Sequence, residues 1–174
     1  MDASKIATAI REAKGYLSEH PDEARYRDSE AVAVVENSLI VRVEGDGWTL
    51  RTDMSRGVGG GASAASPGWM MRAALASCVA TLITMRAAER GIALHGLRVA
   101  VDSESDDRGI LGIAENVPAG PLSMRLRVSA DPGDQDESLL REVIEWGFDH
   151  CPVCDAIQRS VPVQHVVELR GPVT

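Results

Sequence analysis

Ser66-Pro-Gly-Trp-Met-Met-Arg-Ala-Ala-Leu-Ala-Ser-Cys78-Val-Ala-Thr81 is the stretch that decides how this chain is built. Ser66 can accept a hydrogen bond as a helix cap, and Pro67 suits a first turn, where the missing amide hydrogen is not needed. Gly91 can take the left-handed conformation that ends helices. The spacing therefore predicts one helix from Pro67 to about Arg90. Its Met70, Met71, Ala74, Leu75, Cys78, Leu82 and Met85 are apolar on more than one side, and a helix apolar nearly all round is expected at the centre of a fold. The hydroxyls of Ser77, Thr81 and Thr84 are expected to bond back to carbonyls of their own helix.

Outward from that helix the pattern is mixed. Residues 2–18 carry Ala3, Ile6, Ala7, Ile10, Ala13, Tyr16 and Leu17 at helical spacing, and Pro21 ends the run. Ala31–Val35, Leu39–Val43 and Trp48–Thr52 read as three strands, with turns at Glu36-Asn-Ser38 and Gly45-Asp-Gly47. The stretch from Gly57 to Ser66 has almost no bulky side chains and predicts a flexible or closely packed loop. Beyond the long helix, strands are expected at Leu94–Asp102, Ile110–Ala114, Leu122–Ala130 and Val163–Leu169. Leu122, Met124, Leu126 and Val128 alternate with polar residues, which gives that strand one buried face. Asp134 or Asp136 opens a further helix, and Pro152–Arg159 forms a short one. The order is α+β, with sheet surrounding helix.

The chain has 174 residues, enough for one domain with its own core. Aromatic content is only 3%, so that core is built from Val, Leu, Ile, Ala and Met. A net charge of −8 argues against nucleic acid and anionic membranes as partners. The first residues lack a basic region followed by an apolar core, so no signal peptide is expected. Trp69 to Met85 carries Arg72, Ser77, Thr81 and Thr84, short of the ~18 uninterrupted apolar residues of a membrane span. A cytoplasmic location is the expectation.

Three cysteines are too few and too odd for a stapled framework. A thiol reacts as thiolate, so a useful one needs a cation or dipole beside it. Cys151 precedes Pro152 at a helix start, where free amides favour negative charge. Cys78 lies deep in its helix and needs an arginine from elsewhere. Arg56, across the glycine-rich loop, is nearest in sequence; Arg25, Arg27, Arg42 and Arg51 are the others. Spacing alone leaves three readings open. Cys78 is a small buried hydrophobe, or the thiols form a redox site, or Cys78, His150, Cys151 and Cys154 hold zinc. Structural zinc sites more often use two spaced pairs, and this chain has one.

Gly59-Gly-Gly61, Ser66-Pro67, Ala73-Ala-Leu-Ala-Ser-Cys78 and the distal Cys151-Pro152 together resemble the OsmC/Ohr family, the osmotically inducible protein C and organic hydroperoxide resistance proteins. The resemblance runs from about Val32 to Leu169. It implies an α+β fold in which antiparallel sheets wrap a long central helix in an intertwined homodimer, with sites at the subunit interface. Residues 1–174 would form a single domain, 1–20 being an added N-terminal helix and 30–170 the family core. By position, Cys78 resembles the thiol that attacks the peroxide, and Cys151 the thiol that resolves the sulfenic acid to a disulfide. Arg56 stands where the family's arginine is expected.

The implied partners are a second copy, an organic hydroperoxide and a dithiol reductant such as a lipoyl protein, with no cofactor and no metal. The family's peroxidases usually have glutamate after the helix-start proline, where this chain has Gly68. That departure keeps an alternative in view: a non-catalytic member that binds an apolar ligand or senses redox state at the dimer interface. Cys154 stands where a serine is more usual. It reads either as a relay exchanging disulfides with Cys151 or as a helix-facing cysteine without a redox role.

Overall fold

A computed structural model describes residues 3–159 and 161–169; Asp2 of the predicted first helix and residues 170–174 of the predicted domain lie outside them. The elements are α1 (Ala3–Glu19), β1 (Val32–Asn37), β2 (Ile40–Gly45), β3 (Trp48–Thr52), α2 (Pro67–Arg90), β4 (His95–Glu104), α3 (Asp107–Ile110), β5 (Ser123–Asp131), α4 (Glu137–Asp149) and α5 (Pro152–Gln158). Single 3-10 turns lie at Pro21–Ala24 and Arg56–Val58. β1, β2 and β3 form one antiparallel sheet in that order; β4 and β5 form a second, antiparallel ladder.

α2 begins and ends as its sequence dictates. The Ser66 hydroxyl accepts the Trp69 amide at 3.2 Å, and Gly91 closes the helix at φ 67°. Ser77, Thr81 and Thr84 each donate a hydroxyl hydrogen bond to a carbonyl one turn back, at 2.8 to 3.1 Å. Among the described residues, α2 is the one helix long and apolar enough to cross a membrane. Its buried stripe of Leu75, Val79, Ile83 and Ala87 instead forms the core, joined by Val143 of α4 and by Cys151 and Cys154. Full burial of one such aliphatic side chain is worth about 1.5–3 kcal/mol. Gly147 lets α4 approach α2 closely, since a Cβ there would lie 2.5 Å from Ile83 Cγ1 and 2.8 Å from its backbone nitrogen.

The expected all-round burial of α2 is not realised within one chain. Ala74, Ser77, Thr81 and Thr84 form an exposed stripe opposite the core. α1 packs along α2 and pairs Lys14 with Glu89. On the other side, Leu97, Val99 and Val101 of β4 and Met124, Leu126 and Val128 of β5 pack on the core, so the alternation in β5 reads as predicted.

The β1–β3 sheet is organised by its turns. Ser38-Leu39 joins β1 to β2, and Asp46 and Gly47, at φ 52° and 77°, make the primed turn that matches strand twist. This sheet has no extensive packing against any helix of its own chain among the described residues.

Two expected strands are absent. Ile110–Ala114 is a helical turn and bend, because the Asp106 carboxylate accepts the Arg108 amide at 3.0 Å and starts α3. Val163–Leu169 forms no strand, and Val163, Val166, Val167 and Leu169 lie open. A strand exists only where an edge takes up its amides and carbonyls, and among the described residues no edge does so.

Candidate functional site

The site is made where α5 abuts the middle of α2. Pro152 occupies the first turn of α5, and Cys151 precedes it as the cap. The Cys151 sulfur accepts the Cys154 amide at 3.3 Å, the use of a side chain that a first turn with free amides invites. Cys151 is fully buried, Cys154 is buried, and Cys78 is half-buried on α2 beside the core stripe.

The three thiols meet in one cluster: Cys151 and Cys154 are buried members of the core, and Cys78 packs against them from α2. The Val153 amide favours the charged form of Cys78. The first turn of α5 thus acts on both helices: its Val153 amide on Cys78 and its Cys154 amide on Cys151. Sequence placed Cys151 at those amides; that Cys78 shares them follows only from the packing of α5 on α2.

The electrostatics of the single chain favour the thiol form of Cys78 and Cys154. Burial pushes Cys78 above the ordinary value of 9.0; the Val153 amide works against that, and the adjacent Cys151 adds to it. Cys154 is pushed up to about 12, first by burial and then by Cys151 and Cys78. Desolvation disfavours the thiolate, and among the described residues no cation is found to offset it at Cys78. Arg56 lies exposed on its 3-10 turn, and no arginine is among the groups acting on Cys78. The chain brings together Cys78 and Cys151 of the predicted site and leaves Arg56 apart from them.

Two features went unread in the sequence. Cys154 was left undecided there, yet it is buried in the same cluster. Asp53, 1% exposed, is the other. Its carboxylate accepts from the amides of Met54 at 2.7 Å, Gly61 at 3.1 Å and Ser63 at 2.9 Å, and from the Ser63 hydroxyl at 2.7 Å. These bonds hold it below the ordinary 3.8, the Ser63 amide contributing most. The glycine-rich segment is therefore closely packed: a Cβ on Gly60 would lie 2.0 Å from the Met54 carbonyl oxygen. A lone aspartate ending a strand before a glycine-rich loop was the only signal.

A cavity of about 840 Å³ opens between β5, α4 and α5. Leu75, Leu126, Val128, Ile144 and Phe148 supply apolar walls, Glu137, Arg141 and Glu145 lie among its lining, and Cys154 is the thiol that borders it. His150 stacks on Trp146 with ring centres 4.0 Å apart, its Nδ1 beside the Trp146 carbonyl. Among the described residues, no group of three or more His, Cys, Asp and Glu side chains is disposed to hold a metal.

The family model for OsmC-like protein matches residues 59–166. An OsmC-like protein from Mycoplasma pneumoniae is 15% identical, with a TM-score of 0.66 over 78% of this chain and 91% of that one. An organic hydroperoxide resistance protein OsmC from Legionella pneumophila is 19% identical, with a TM-score of 0.56 over 77% and 91%. An organic hydroperoxide resistance protein from Elizabethkingia anophelis, solved with thiocyanate bound, is 18% identical, with a TM-score of 0.57 over 78% and 91%. At these identities the likeness is one of fold. A search among curated proteins gave no match.

Proposed function

The chain belongs to the OsmC-like family, and from that premise we propose that it is a thiol-dependent peroxidase for organic hydroperoxides. The observation that carries this reading is that Cys78 of α2 packs against the buried cluster holding Cys151 at the start of α5. The Cys78 thiolate attacks one oxygen of the peroxide, the O–O bond breaks, and the alkoxide leaves as the alcohol after taking a proton. Cys78 becomes a sulfenic acid. Cys151 attacks its sulfur, water leaves, and a Cys78–Cys151 disulfide forms before further oxidation. An external dithiol, such as a lipoyl group on a protein, restores both thiols.

Cys78 needs a positive neighbour, since burial holds it protonated in the chain alone. The reading supplies it from a second copy: a homodimer whose interface carries Arg56 of the other chain to Cys78. Three features support a missing partner. Among the described residues, the β1–β3 sheet has no extensive packing on a helix of its own chain, α2 exposes its Ala74, Ser77, Thr81 and Thr84 stripe, and Val163–Leu169 joins no sheet. Net charge of −8 supports a cytoplasmic protein without nucleic-acid or membrane partners.

The test mixes reduced protein with cumene hydroperoxide and counts thiols over time. The expected result is thiol loss far faster than in Cys78→Ser; equal rates would end the peroxidase reading. A second reading has its own support. Gly68 replaces the family's helix-start carboxylate, and the apolar cavity could take a fatty or aromatic ligand. Tight binding of such a ligand by Cys78→Ser, with negligible peroxide turnover by the parent, would favour a non-catalytic binder.

A further inference from the structure

We propose that Cys154 is a third redox residue, which takes over the disulfide from Cys78 so that Cys151–Cys154 is the pair the reductant opens. The inference rests on the peroxidase reading for its source of oxidation. Three observations carry it. The three thiols share one packed cluster, Cys151 and Cys154 inside it and Cys78 against it, so one sulfur can change partners without the backbone moving far. Cys151 caps α5 and Cys154 is its third residue, their sulfur-to-amide distance being 3.3 Å, which keeps the two side chains within one helical turn. The third observation is access: Cys154 borders the 840 Å³ cavity, whereas Cys151 is fully buried and neither it nor Cys78 lines that space.

The exchange balances within the protein. The Cys154 sulfur attacks Cys151 Sγ, the S–S bond to Cys78 breaks, and Cys78 departs as thiolate and takes the proton Cys154 gave up. No net oxidation occurs in this step. Exchange is faster the better the departing sulfur carries charge; the Val153 amide works in that direction at Cys78, against the burial that opposes it. A dithiol reaching Cys154 through the cavity then forms a mixed disulfide and releases Cys151. Its second thiol closes on itself and releases Cys154. Oxidant and reductant thereby meet different sulfurs: peroxide at the half-buried Cys78 on α2, reductant at Cys154 on the cavity between β5, α4 and α5.

The test has two arms. In the first, reduced protein takes one equivalent of cumene hydroperoxide, is quenched with N-ethylmaleimide, and its disulfides are mapped by mass spectrometry. The Cys151–Cys154 link is expected in at least about tenfold excess over Cys78–Cys151, with Cys78 carrying the maleimide. Cys154→Ser, and Cys154→Ala should serine disturb folding, is expected to shift the link to Cys78–Cys151. A parent holding only Cys78–Cys151, with Cys154 alkylated, overturns the relay and leaves the peroxidase reading standing. The second arm needs no peroxide: Cys78→Ser protein is oxidised with diamide. A Cys151–Cys154 disulfide is expected there, and two free thiols overturn the relay. If the parent consumes peroxide no faster than Cys78→Ser, the peroxidase reading falls alone and the diamide arm decides the relay.

Discussion

α2, α4, α5 and the β4–β5 ladder enclose a core around Val79, Ile83 and Val143, each 2% exposed or less. The β1–β3 sheet has the same strand-forming residues and antiparallel ladders, yet Val32, Val34, Val35 and Leu50 stay between 39% and 67% exposed. Both regions obey the same backbone rules. They differ in whether one chain supplies the surface that an apolar face needs. Hydrogen bonding can complete a sheet locally, whereas burial requires a second layer. The thiol site lies in the closed region, and among the described residues no cation acts on Cys78, which is the same incompleteness in electrostatic form.

Substitutions in the closed region should cost most. Gly147→Leu drives side-chain atoms into Ile83 and is expected to lower stability by about 3 kcal/mol or more in urea melts. Ile83→Ala, at a fully buried position, should cost about 2–5 kcal/mol. Val35→Ala, 67% exposed, is expected to change the stability of an isolated chain by less than about 0.5 kcal/mol. If Val35→Ala costs as much as Ile83→Ala in protein shown to be monomeric, the contrast between the two regions is wrong.

The next effect is on assembly. Val34→Asp adds a charge to the open sheet, and sedimentation is expected to show it moving the protein from two chains toward one while helix content by circular dichroism persists. An unchanged mass would remove the open sheet from the proposed interface.

Asp53 joins the two regions at the end of β3. Its carboxylate titrates below 3.8 in the folded chain, so its stabilisation is fully present above that value. It is lost as pH falls through the lower folded midpoint, because the unfolded chain then binds the proton more readily. Asp53→Asn should therefore lower the urea midpoint at pH 7 and flatten the acid side of the stability profile. A profile identical to the parent's would show that the carboxylate does not hold the loop. The smallest effect concerns Gly68. Glutamate there gains helix propensity and faces the free amides of the first turn, and it sits one turn from Arg72, whose Nη1 is 3.9 Å from a Cβ at position 68. Gly68→Glu is expected to add about 0.5–1 kcal/mol, read as a higher melting temperature; a loss would contradict the geometry of this turn.

What was legible in the sequence was whatever local chemistry decides. Ser66, Pro67 and Gly91 bounded α2, the alternation through Val128 marked β5, and the back-bonding of Ser77, Thr81 and Thr84 followed from hydroxyls on a helix. Cys151-Pro152 gave the cap of α5. Properties that depend on distant surfaces were not legible. Ile110-Leu-Gly-Ile113 has a strand-like composition, but Asp106 captures the Arg108 amide first and bends the chain. Val163–Leu169 has the residues of a strand and no edge to join. Cys154 joined the thiol cluster only because α5 docks on α2, a contact that no spacing along the chain specifies.

The account stands most directly on the meeting of two sulfurs. Reduced Cys154→Ser protein should be given one equivalent of cumene hydroperoxide, digested without reductant and mapped. The account predicts the Cys78 peptide joined to the Cys151 peptide through a disulfide. Recovery of Cys78 as sulfinic acid, with Cys151 still a free thiol, would contradict it.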